Sequence, residues 1–332
     1  MLCSPREAEQ MTEITIQKND AGQRADRFLS KAYPNLKSAL VNKLMRKKRI
    51  KLNGARVEPN VILKEGDVFR FYLSDELLSK KPLERTNDFR DISAEINVIY
   101  EDENILLCDK PCGLVVHEDN DNTADTLINR ILSYLYQKGE FVPEDENSFT
   151  PALVNRIDRN TSGIVIAAKN AEALRILNQK LRDRELEKLY LCAVFGVPKP
   201  SEAVMTAYLK KISEENRVLI SDKPQPDFLT IKTKYRVLES RGELSLVEVD
   251  LLTGRTHQIR AHFAHIGCPL LGDGKYGDNS QNKKYGAKTQ ALCSYKLKFR
   301  FTTDAGALSY LNGREFWIAN PEELWFVKLF KK

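Results

Sequence analysis

A carboxylate flanked by two arginines is the part of this sequence best suited to carry out chemistry. Asp158 lies between Arg156 and Arg159, and turn-forming residues follow at positions 160–163. Residues 163–168 are apolar and rich in β-branched side chains, which predicts a buried strand. A side chain on a tight turn that leads into a core strand is rigidly aimed, as a catalytic acid, base or nucleophile must be.

The same residues also have a purely structural explanation. An Asp on a loop often caps the turn and pairs with Arg at the surface, and on local physics alone this explanation is the better one. The choice between the two therefore depends on whether other parts of the chain carry matching motifs.

Three histidines form a second group that could do chemistry, namely His257, His262 and His265. They lie within residues 253–267, where the apolar spacing predicts a helix that ends at Gly267. Zinc is often bound by histidines, but neither an H-E-x-x-H pattern nor a cysteine partner accompanies these three. We therefore expect no metal, and a metal-dependent hydrolase is the weakest interpretation.

The segment around Asp158 resembles a motif of a known family. Residues 155–163 are Asn-Arg-Ile-Asp-Arg-Asn-Thr-Ser-Gly, similar to H-R-L-D-x-x-T-S-G of the RluA-type RNA pseudouridine synthases. Asn155 departs from the family, which usually has His there. Residues 253–267 resemble the family's G-R-T-H-Q-I-R-x-H block, and residues 109–117 resemble its N-K-P-x-G-L-x-x-H block. Separated motifs agree in order and spacing, so chance is a poor explanation.

The resemblance spans roughly residues 96–318 and implies an α+β catalytic domain, with a mixed, largely antiparallel sheet and flanking helices. It implies that Asp158 is the catalytic carboxylate, that Arg260 pairs with it, and that Ile259 lines the uracil pocket. Tyr190 matches the family's K-x-Y motif, which implies that it stacks on the uracil and assists proton removal from carbon 5. The remaining substrate-binding candidates are Arg156, Arg159, Arg255 and His257.

The reaction of this family breaks the bond between uracil N1 and the sugar, rotates the uracil and joins carbon 5 to the sugar. It needs a carboxylate near the anomeric carbon. Arg260, as a bidentate partner, would keep Asp158 ionised and fix its rotamer. Whether Asp158 attacks the sugar or abstracts a proton stays open. No redox or phosphoryl-transfer step is involved, and we expect no cofactor.

A strongly basic segment precedes the catalytic region. Eight basic residues and no acidic residue lie from Lys37 to Arg56, on a predicted helix and an Asn53-Gly54 hairpin. Such a run is often only a solvated surface, but the absence of acidic residues favours nucleic acid. The stretch also resembles an S4 RNA-binding domain, which commonly precedes an RluA-type catalytic domain. The RNA-binding candidates are Lys37, Lys43, Arg46, Lys47, Lys48, Arg49 and Lys51.

The sequence therefore predicts an S4-like α/β head at residues 12–74, a linker at residues 75–94 and a catalytic domain at residues 95–332. The linker is charged, contains Pro82 and has weak periodicity. We interpret residues 1–10 as a dispensable extension or the result of an upstream start codon.

Periodicity predicts further elements of the catalytic domain. Helices are expected at residues 127–135, 171–183 and 321–330. Strands are expected at residues 96–100, 104–109, 114–117, 188–195, 228–239, 243–252, 290–301 and 315–318.

Length and composition limit the class of protein. The chain of 332 residues suffices for two domains, and its net charge of +6 is a mild excess. It lacks an apolar run of about eighteen residues and a signal-peptide core, and its scattered cysteines are typical of a reduced, cytosolic protein. We expect a cytoplasmic monomer that acts on structured RNA without a membrane, with large-subunit ribosomal RNA favoured over transfer RNA. The alternative is a non-catalytic RNA-binding or ribosome-assembly protein, which only Asn155 and Cys293 favour.

Overall fold

In the residues that the structure describes, the strands form a four-stranded and an eleven-stranded β-sheet. The computed structural model describes residues 11–79, 89–118, 123–212 and 214–331. The predicted extension at residues 1–10, and residues 80–88 of the predicted linker, lie outside this range. Within the part described, each helix is too short or too polar to cross a membrane.

The N-terminal unit packs two helices on a small antiparallel sheet. Its elements are β1 (Met11–Thr15), α1 (Ala25–Ala32), α2 (Ser38–Arg46), β2 (Ile50–Leu52), β3 (Ala55–Arg56) and β4 (Val68–Tyr72). The strand order is β1-β4-β2-β3, so β1 lies at an edge of the sheet. Phe28, Phe69 and Phe71 are fully buried and form the centre of this core.

The hairpin between β2 and β3 is confirmed. Asn53 and Gly54 have φ angles of 50° and 77°, the positive values that a type I′ turn requires. The helix before it packs one apolar face on the sheet. Val41 and Met45 of α2 are buried, and Leu40 and Leu44 are partly buried against the same core.

The second unit is built on the eleven-stranded sheet. Its strands are β5 (Asn97–Glu101), β6 (Ile105–Lys110), β7 (Ala152–Leu153), β8 (Ser162–Ala168), β9 (Leu186–Phe195), β10 (Glu202–Ile212), β11 (Arg217–Ser221), β12 (Leu229–Arg241), β13 (Leu244–Leu251), β14 (Leu292–Phe299) and β15 (Glu315–Trp317). Its helices are α3 (Leu127–Gln137), α4 (Ala171–Arg182), α5 (Gln258–His265) and α6 (Asn279–Lys284).

The sheet is mixed but largely antiparallel. Its main path runs β11-β10-β12-β13-β9-β14-β8-β6-β5, with β15 beside β14 and β7 beside β8. β14 and β8 pair in parallel, with Cys293 opposite Ser162, whereas the other described strand pairs of this sheet are antiparallel. The α+β fold that the resemblance implied is therefore confirmed.

The strand that follows Asp158 is buried on both faces. Ile164 and Ile166 of β8 face a core that includes residues of α4, while Val165 and Ala167 face a core that includes residues of α3 and α5. A strand covered by helices on both sides must be apolar at nearly every position, and β8 is. The predicted buried strand is thus confirmed, and it gives the Asp158 turn a rigid base.

One predicted strand, at residues 114–117, is wrong. Val115 makes only an isolated bridge with Thr126, and the chain turns on either side of it. The Lys110 amine donates a hydrogen bond to the Leu114 carbonyl at 2.7 Å. This contact bends the segment back on itself, so its apolar residues cannot extend along the sheet.

The predicted helix at residues 321–330 is also wrong. The segment forms a short 3₁₀ helix (Pro321–Glu323) followed by turns. Phe326 and Phe330 are nevertheless buried in the core beside the sheet. Their spacing resembles that of a helix, but burial is achieved by successive turns. The other helices and strands predicted for this unit are present, with ends that differ by a few residues.

The two units contact each other through Asp20, which is fully buried. Its Oδ1 accepts hydrogen bonds from the Ser148 backbone N (3.1 Å), the Ser148 Oγ (2.7 Å) and the Phe149 N (3.1 Å). Gly22 lies so close to α4 that a Cβ there would come within 2.8 Å of the Glu172 Cα. The N-terminal unit therefore lies directly against the second unit.

Part of the predicted linker also packs on the second unit. Phe89 begins a 3₁₀ helix (Phe89–Asp91) and is buried, with its ring centroid 5.9 Å from that of Phe141 and 6.0 Å from that of Tyr136. The three domain boundaries stay predictions.

Candidate active site

The turn between β7 and β8 presents the Asp158 side chain. The Thr161 backbone N donates to the Asp158 carbonyl at 3.0 Å, which closes the turn. At Gly163, φ is +107° and a Cβ would come within 2.2 Å of the Ser294 carbonyl oxygen. Only glycine fits both the angle and the close approach. Gly163 thus lets β8 lie beside β14 and determines where the turn points.

Asn155 and Cys293, two positions at which this sequence departs from the family pattern, are occupied by well-packed residues. Asn155 is buried; its Oδ1 accepts from the Ile166 N at 2.8 Å and its Nδ2 donates to the Ile164 carbonyl at 3.4 Å. It therefore ties the start of the Asp158 loop to β8. Cys293 is buried opposite Ser162, and burial raises the pKa of its thiol to about 12. Both departures fit the packing, and neither favours a non-catalytic protein.

Lys110 belongs to the motif at residues 109–117 and is fully buried. It holds the loop that carries Asp158. Its Nζ donates to the carbonyls of Pro111 (2.8 Å), Leu114 (2.7 Å) and Arg159 (2.9 Å). Burial lowers the pKa of Lys110 to about 8. The three carbonyls replace water around the ammonium group, so the turn after β6 is fastened directly to the residue after Asp158.

Arg260, in the first turn of α5, contacts two carboxylates. Its Nη1 donates to Asp158 Oδ2 at 2.8 Å, while its Nε and Nη2 donate to Asp273 Oδ2 and Oδ1 at 2.7 and 3.0 Å. The pairing of Arg260 with Asp158, which the resemblance implied, is present in the structure. The bidentate contact, however, is made with Asp273, which sequence reasoning did not select. A planar guanidinium held on one edge by Asp273 presents its remaining nitrogen to Asp158 in a single orientation.

Burial and pairing act against each other on these charges. Burial alone would raise the pKa of Asp273, but hydrogen bonds from Arg260 and from the Lys275 and Tyr276 backbone amides hold it below its usual value. Burial likewise opposes the charge of Arg260, yet its two carboxylate partners raise its pKa. The guanidinium is therefore charged at every physiological pH.

A pocket opens beside Asp158. Its lining residues are Arg156, Ile157, Asp158, Thr161, Tyr190, Leu251, Arg255, His257, Gln258, Ile259, Arg260 and Leu292. Tyr190 and Ile259 are both buried, and they form part of the pocket wall. Burial raises the pKa of Tyr190 to about 12, with a smaller opposing effect from a hydrogen bond with Ser294. The phenol is therefore neutral near pH 7.

The predicted substrate-binding residues fall into two groups. Arg156 and Arg255 are exposed residues that line the pocket, and His257 lines it from a half-buried position. Arg159 is exposed but is not among the lining residues, and its contacts with Lys110 are made by its carbonyl. The structure therefore brings together every predicted site residue of the catalytic domain except Arg159.

The three histidines that suggested a metal site have separate partners. His257 Nδ1 lies 2.9 Å from the Tyr276 hydroxyl, His262 Nδ1 lies 2.9 Å from Thr233 Oγ1, and His265 Nε2 lies 2.8 Å from Asp222. No group of three or more His, Cys, Asp or Glu side chains is arranged to hold a metal in the ranges that the structure describes.

Asp273 and Tyr276 are site residues that the sequence analysis missed. They belong to residues 272–277, which match G-x-G-x-x-G by letter. That pattern signals a dinucleotide site only between a strand and a helix. Here it forms a turn after α5, and the Asp between its first two glycines was the signal that could have been used.

The basic residues of the head lie apart from this pocket. They are carried by α2, β2 and the turn between them, and most are exposed. Lys51 also lies over the Tyr72 ring, with Nζ 5.3 Å from the ring centroid. A basic face with an aromatic ring is typical of nucleic-acid surfaces, and this role stays a prediction.

Residues 104–265 match the family model described as RNA pseudouridylate synthase. An uncharacterized RNA pseudouridine synthase of Aquifex aeolicus (strain VF5) is 34% identical over 263 residues, which is 78% of each chain. This chain belongs to the RNA pseudouridine synthases. As a pseudouridine synthase it is also similar to ribosomal large subunit pseudouridine synthase C of Vibrio cholerae, with 32% identity over 87% of this chain and 89% of the relative.

A solved structure shows the same fold. Human RNA pseudouridylate synthase domain containing 4 superposes with a TM-score of 0.54 at 21% identity, over 70% of this chain and 90% of the human one. At this identity the likeness supports the α+β fold alone.

Proposed function

We propose that this pseudouridine synthase isomerises specific uridines in large-subunit ribosomal RNA, with Asp158 as the catalytic carboxylate. The observation that carries the proposal is the Asp158–Arg260 ion pair of 2.8 Å on the wall of a pocket that also contains Tyr190 and Ile259. A carboxylate that lines a pocket and is oriented by a buried guanidinium can approach the anomeric carbon of a bound uridine. Nucleophilic attack and proton abstraction both remain compatible with this position.

Tyr190 and Ile259 supply the surfaces for the uracil ring. Tyr190 is a neutral phenol with a buried hydroxyl, which suits a stacking partner better than a proton acceptor. Ile259 precedes Arg260 in α5, so the helix that positions the guanidinium also shapes the base pocket. The uracil would thus be held beside Asp158 while it rotates.

Arg156, Arg159, Arg255 and His257 surround the entrance in this proposal. A uridine must leave its stack to reach Asp158, at a cost of a few kcal/mol. Arg156 and Arg255 are exposed at the pocket, where phosphate contacts can offset that cost. We assign to Arg156 the task of holding the RNA open.

The choice of ribosomal RNA rests on two supports. The relative from Vibrio cholerae is named a ribosomal large subunit synthase and is similar along 87% of this chain. The S4-like head carries the basic set Lys37, Lys43, Arg46, Lys47, Lys48, Arg49 and Lys51, which suits structured RNA. Transfer RNA is the alternative substrate, and the cytoplasm is the expected location of the reaction.

Tritium release tests the proposal directly. Transcribed large-subunit ribosomal RNA and transfer RNA are labelled at uridine carbon 5 and incubated with the wild type, Asp158→Asn and Asp278→Asn. Asp278 is an exposed residue that begins α6 and serves as the matched control. We expect release from ribosomal RNA by the wild type and the control, and none by Asp158→Asn.

The possible results separate the parts of the proposal. Release by Asp158→Asn at the wild-type rate would overturn the role of Asp158. Release from transfer RNA alone would overturn the choice of substrate. Tight RNA binding without release from either RNA would favour a binding protein instead.

The role of the head has its own test. Replacing Lys43 and Lys47 by Ala should weaken RNA binding. The slope of the logarithm of the binding constant against the logarithm of the salt concentration should become shallower by about one for each lost phosphate contact. Lys64→Ala, at an exposed position elsewhere on the head, is the control. An unchanged salt slope in the double variant would contradict the assignment.

A further inference from the structure

Tyr276 connects the edge of the sheet to the active site. Its ring centroid lies 5.7 Å from the guanidinium of Arg217 in β11 and 5.4 Å from that of Arg260. Its hydroxyl makes two hydrogen bonds, one with the Val218 backbone N at 3.0 Å and one with His257 Nδ1 at 2.9 Å. Both the ring and the polar end of Tyr276 are therefore in contact with neighbouring residues.

The direction of these two hydrogen bonds follows from proton counting. A backbone N–H can only donate, so the Tyr276 oxygen accepts from Val218. The hydroxyl has a single proton, and His257 Nδ1 is the second atom within hydrogen-bonding distance. If the hydroxyl donates to Nδ1, both atoms are satisfied. A proton on Nδ1 would instead force the oxygen to accept twice and leave its own proton without this partner.

The opposite nitrogen of His257 faces the candidate catalytic carboxylate. Nε2 lies 4.0 Å from Asp158 Oδ2, the same oxygen that Arg260 contacts. This distance is too long for a hydrogen bond in the free protein, and such contacts commonly tighten when substrate binds. His257 itself has φ of +52°, a left-handed angle that is strained for a residue other than glycine and often marks functional positions.

The surroundings favour a neutral imidazole. Burial lowers the pKa of His257, and the charges of Arg260 and Lys275 lower it further, against the opposing effects of Asp158 and Asp273. A neutral imidazole carries its proton on one nitrogen only. When Nδ1 accepts from Tyr276, that proton must be on Nε2.

We propose that Tyr276 selects the Nε2–H tautomer of His257, so that a neutral hydrogen-bond donor faces Asp158 Oδ2 beside Arg260. The tautomer follows from the contacts alone, whereas its use in catalysis rests on the proposed function of Asp158. A neutral donor restrains the carboxylate without adding a second positive charge next to Arg260. Tyr276 is then a positioning residue that acts through His257.

Nitrogen NMR tests the tautomer without any measurement of activity. The chain has four histidines, so ¹⁵N-histidine labelling of the full-length protein gives a small set of ring signals. His257→Gln identifies the signals of His257 by their loss. Near neutral pH we expect an unprotonated Nδ1 and a protonated Nε2. Tyr276→Phe should keep the ring beside the guanidinium groups of Arg217 and Arg260. It should shift His257 toward the tautomer with the proton on Nδ1.

Turnover tests the use of this tautomer. Tyr276→Phe should lower kcat about 10-fold with little change in KM, because one hydrogen bond that aims the imidazole is lost. His257→Gln, whose amide nitrogen can occupy the place of Nε2, should retain more turnover than His257→Leu. Tyr285→Phe is the control, since its hydroxyl contacts the exposed Glu243 at 3.3 Å.

The results distinguish this inference from the proposed function. A protonated Nδ1 in the wild type, or unchanged His257 signals in Tyr276→Phe, would overturn the tautomer. Equal turnover of His257→Gln and His257→Leu would overturn its role as a donor. Full activity of Asp158→Asn would overturn the proposed function, while the NMR result would stand on its own.

Discussion

Asp158 and Arg260 lie 102 positions apart in the sequence, and their side chains meet at 2.8 Å. Asp158 comes from the turn before β8 and Arg260 from the first turn of α5, so the contact joins two separated motifs. Asp273 holds the other edge of the same guanidinium with hydrogen bonds of 2.7 and 3.0 Å. The orientation of Asp158 thus depends on a residue outside the lining of its pocket.

Asp273→Asn should lower kcat by about 10- to 100-fold and change the KM for RNA little. An amide cannot accept both guanidinium hydrogen bonds, and charge-assisted bonds of this kind are worth about 1.5–3 kcal/mol. Arg260 would then hold Asp158 in a less defined orientation. Steady-state kinetics measure the effect, with thermal unfolding to confirm that the variant is folded.

Asp278→Asn is the appropriate comparison for Asp273→Asn, because it removes an exposed carboxylate five residues further along the chain. It should leave both kinetic constants unchanged. If Asp273→Asn raises KM and leaves kcat intact, Asp273 serves RNA binding and its positioning role is refuted.

Tyr190→Phe should retain turnover within about 10-fold of the wild type, whereas Tyr190→Leu should lose about 10- to 100-fold more. Stacking of a base on an aromatic ring is worth about 1–3 kcal/mol, while the Tyr190 hydroxyl contributes about one ordinary hydrogen bond. Tritium release from the two variants, compared at equal RNA occupancy, measures this difference. Equal losses in both variants would show that the hydroxyl, and not the ring, is required.

Gly163→Ala should destabilise the protein by about 3 kcal/mol or more. The new Cβ would come within 2.2 Å of the Ser294 carbonyl oxygen, at a φ of +107°. Gly139 also has a positive φ, +71°, but a Cβ there would meet nothing within 4 Å. Gly139→Ala should therefore cost only about 1 kcal/mol. Urea unfolding of both variants separates the cost of the backbone angle from the cost of the contact with Ser294. Equal losses of unfolding free energy would show that this contact adds nothing.

His262 should make the folded state sensitive to acid. Burial lowers its pKa from 6.5 to about 4, and its Nδ1 contacts Thr233 Oγ1 at 2.9 Å. Between these two pH values the unfolded chain binds a proton that the folded chain does not. Stability is therefore full above about pH 6.5 and falls as the pH drops toward about 4, by up to about 3 kcal/mol.

Urea unfolding as a function of pH checks this dependence. The decrease on acidification should be smaller in His262→Asn than in the wild type. His265→Asn removes a neighbouring charge that contributes less than burial to the lowered pKa of His262, so most of the decrease should remain. A wild-type acid dependence in His262→Asn would assign the effect to other groups.

Asp20→Ala should loosen the contact between the two units. The Asp20 carboxylate accepts the backbone N–H groups of Ser148 and Phe149, so both amides should exchange with solvent faster in the variant. Hydrogen exchange followed by NMR or mass spectrometry measures this. Glu65→Ala, at an exposed position on the head, is the control and should leave both amides protected. Unchanged protection in Asp20→Ala would mean that the docking does not depend on this carboxylate.

The sequence by itself determined the local elements and the candidate residues. Alternating and apolar patterns located β8 and the hairpin at Asn53, because side-chain burial repeats with the period of the backbone. The resemblance indicated Asp158, Tyr190 and Arg260 and the type of sheet. The same patterns failed at residues 114–117 and 321–330, where apolar residues are buried by turns rather than by regular structure.

The tertiary structure alone decided which side chains meet. The bidentate partner of Arg260 is Asp273, the hydroxyl of Tyr276 contacts His257, and Asp20 fastens the head. No period in the sequence encodes these contacts, because each joins residues that are separated in the sequence and meet only when the chain is folded. Hydrogen bonds and ion pairs of this kind depend on separations of a few tenths of an ångström, which only the folded chain defines.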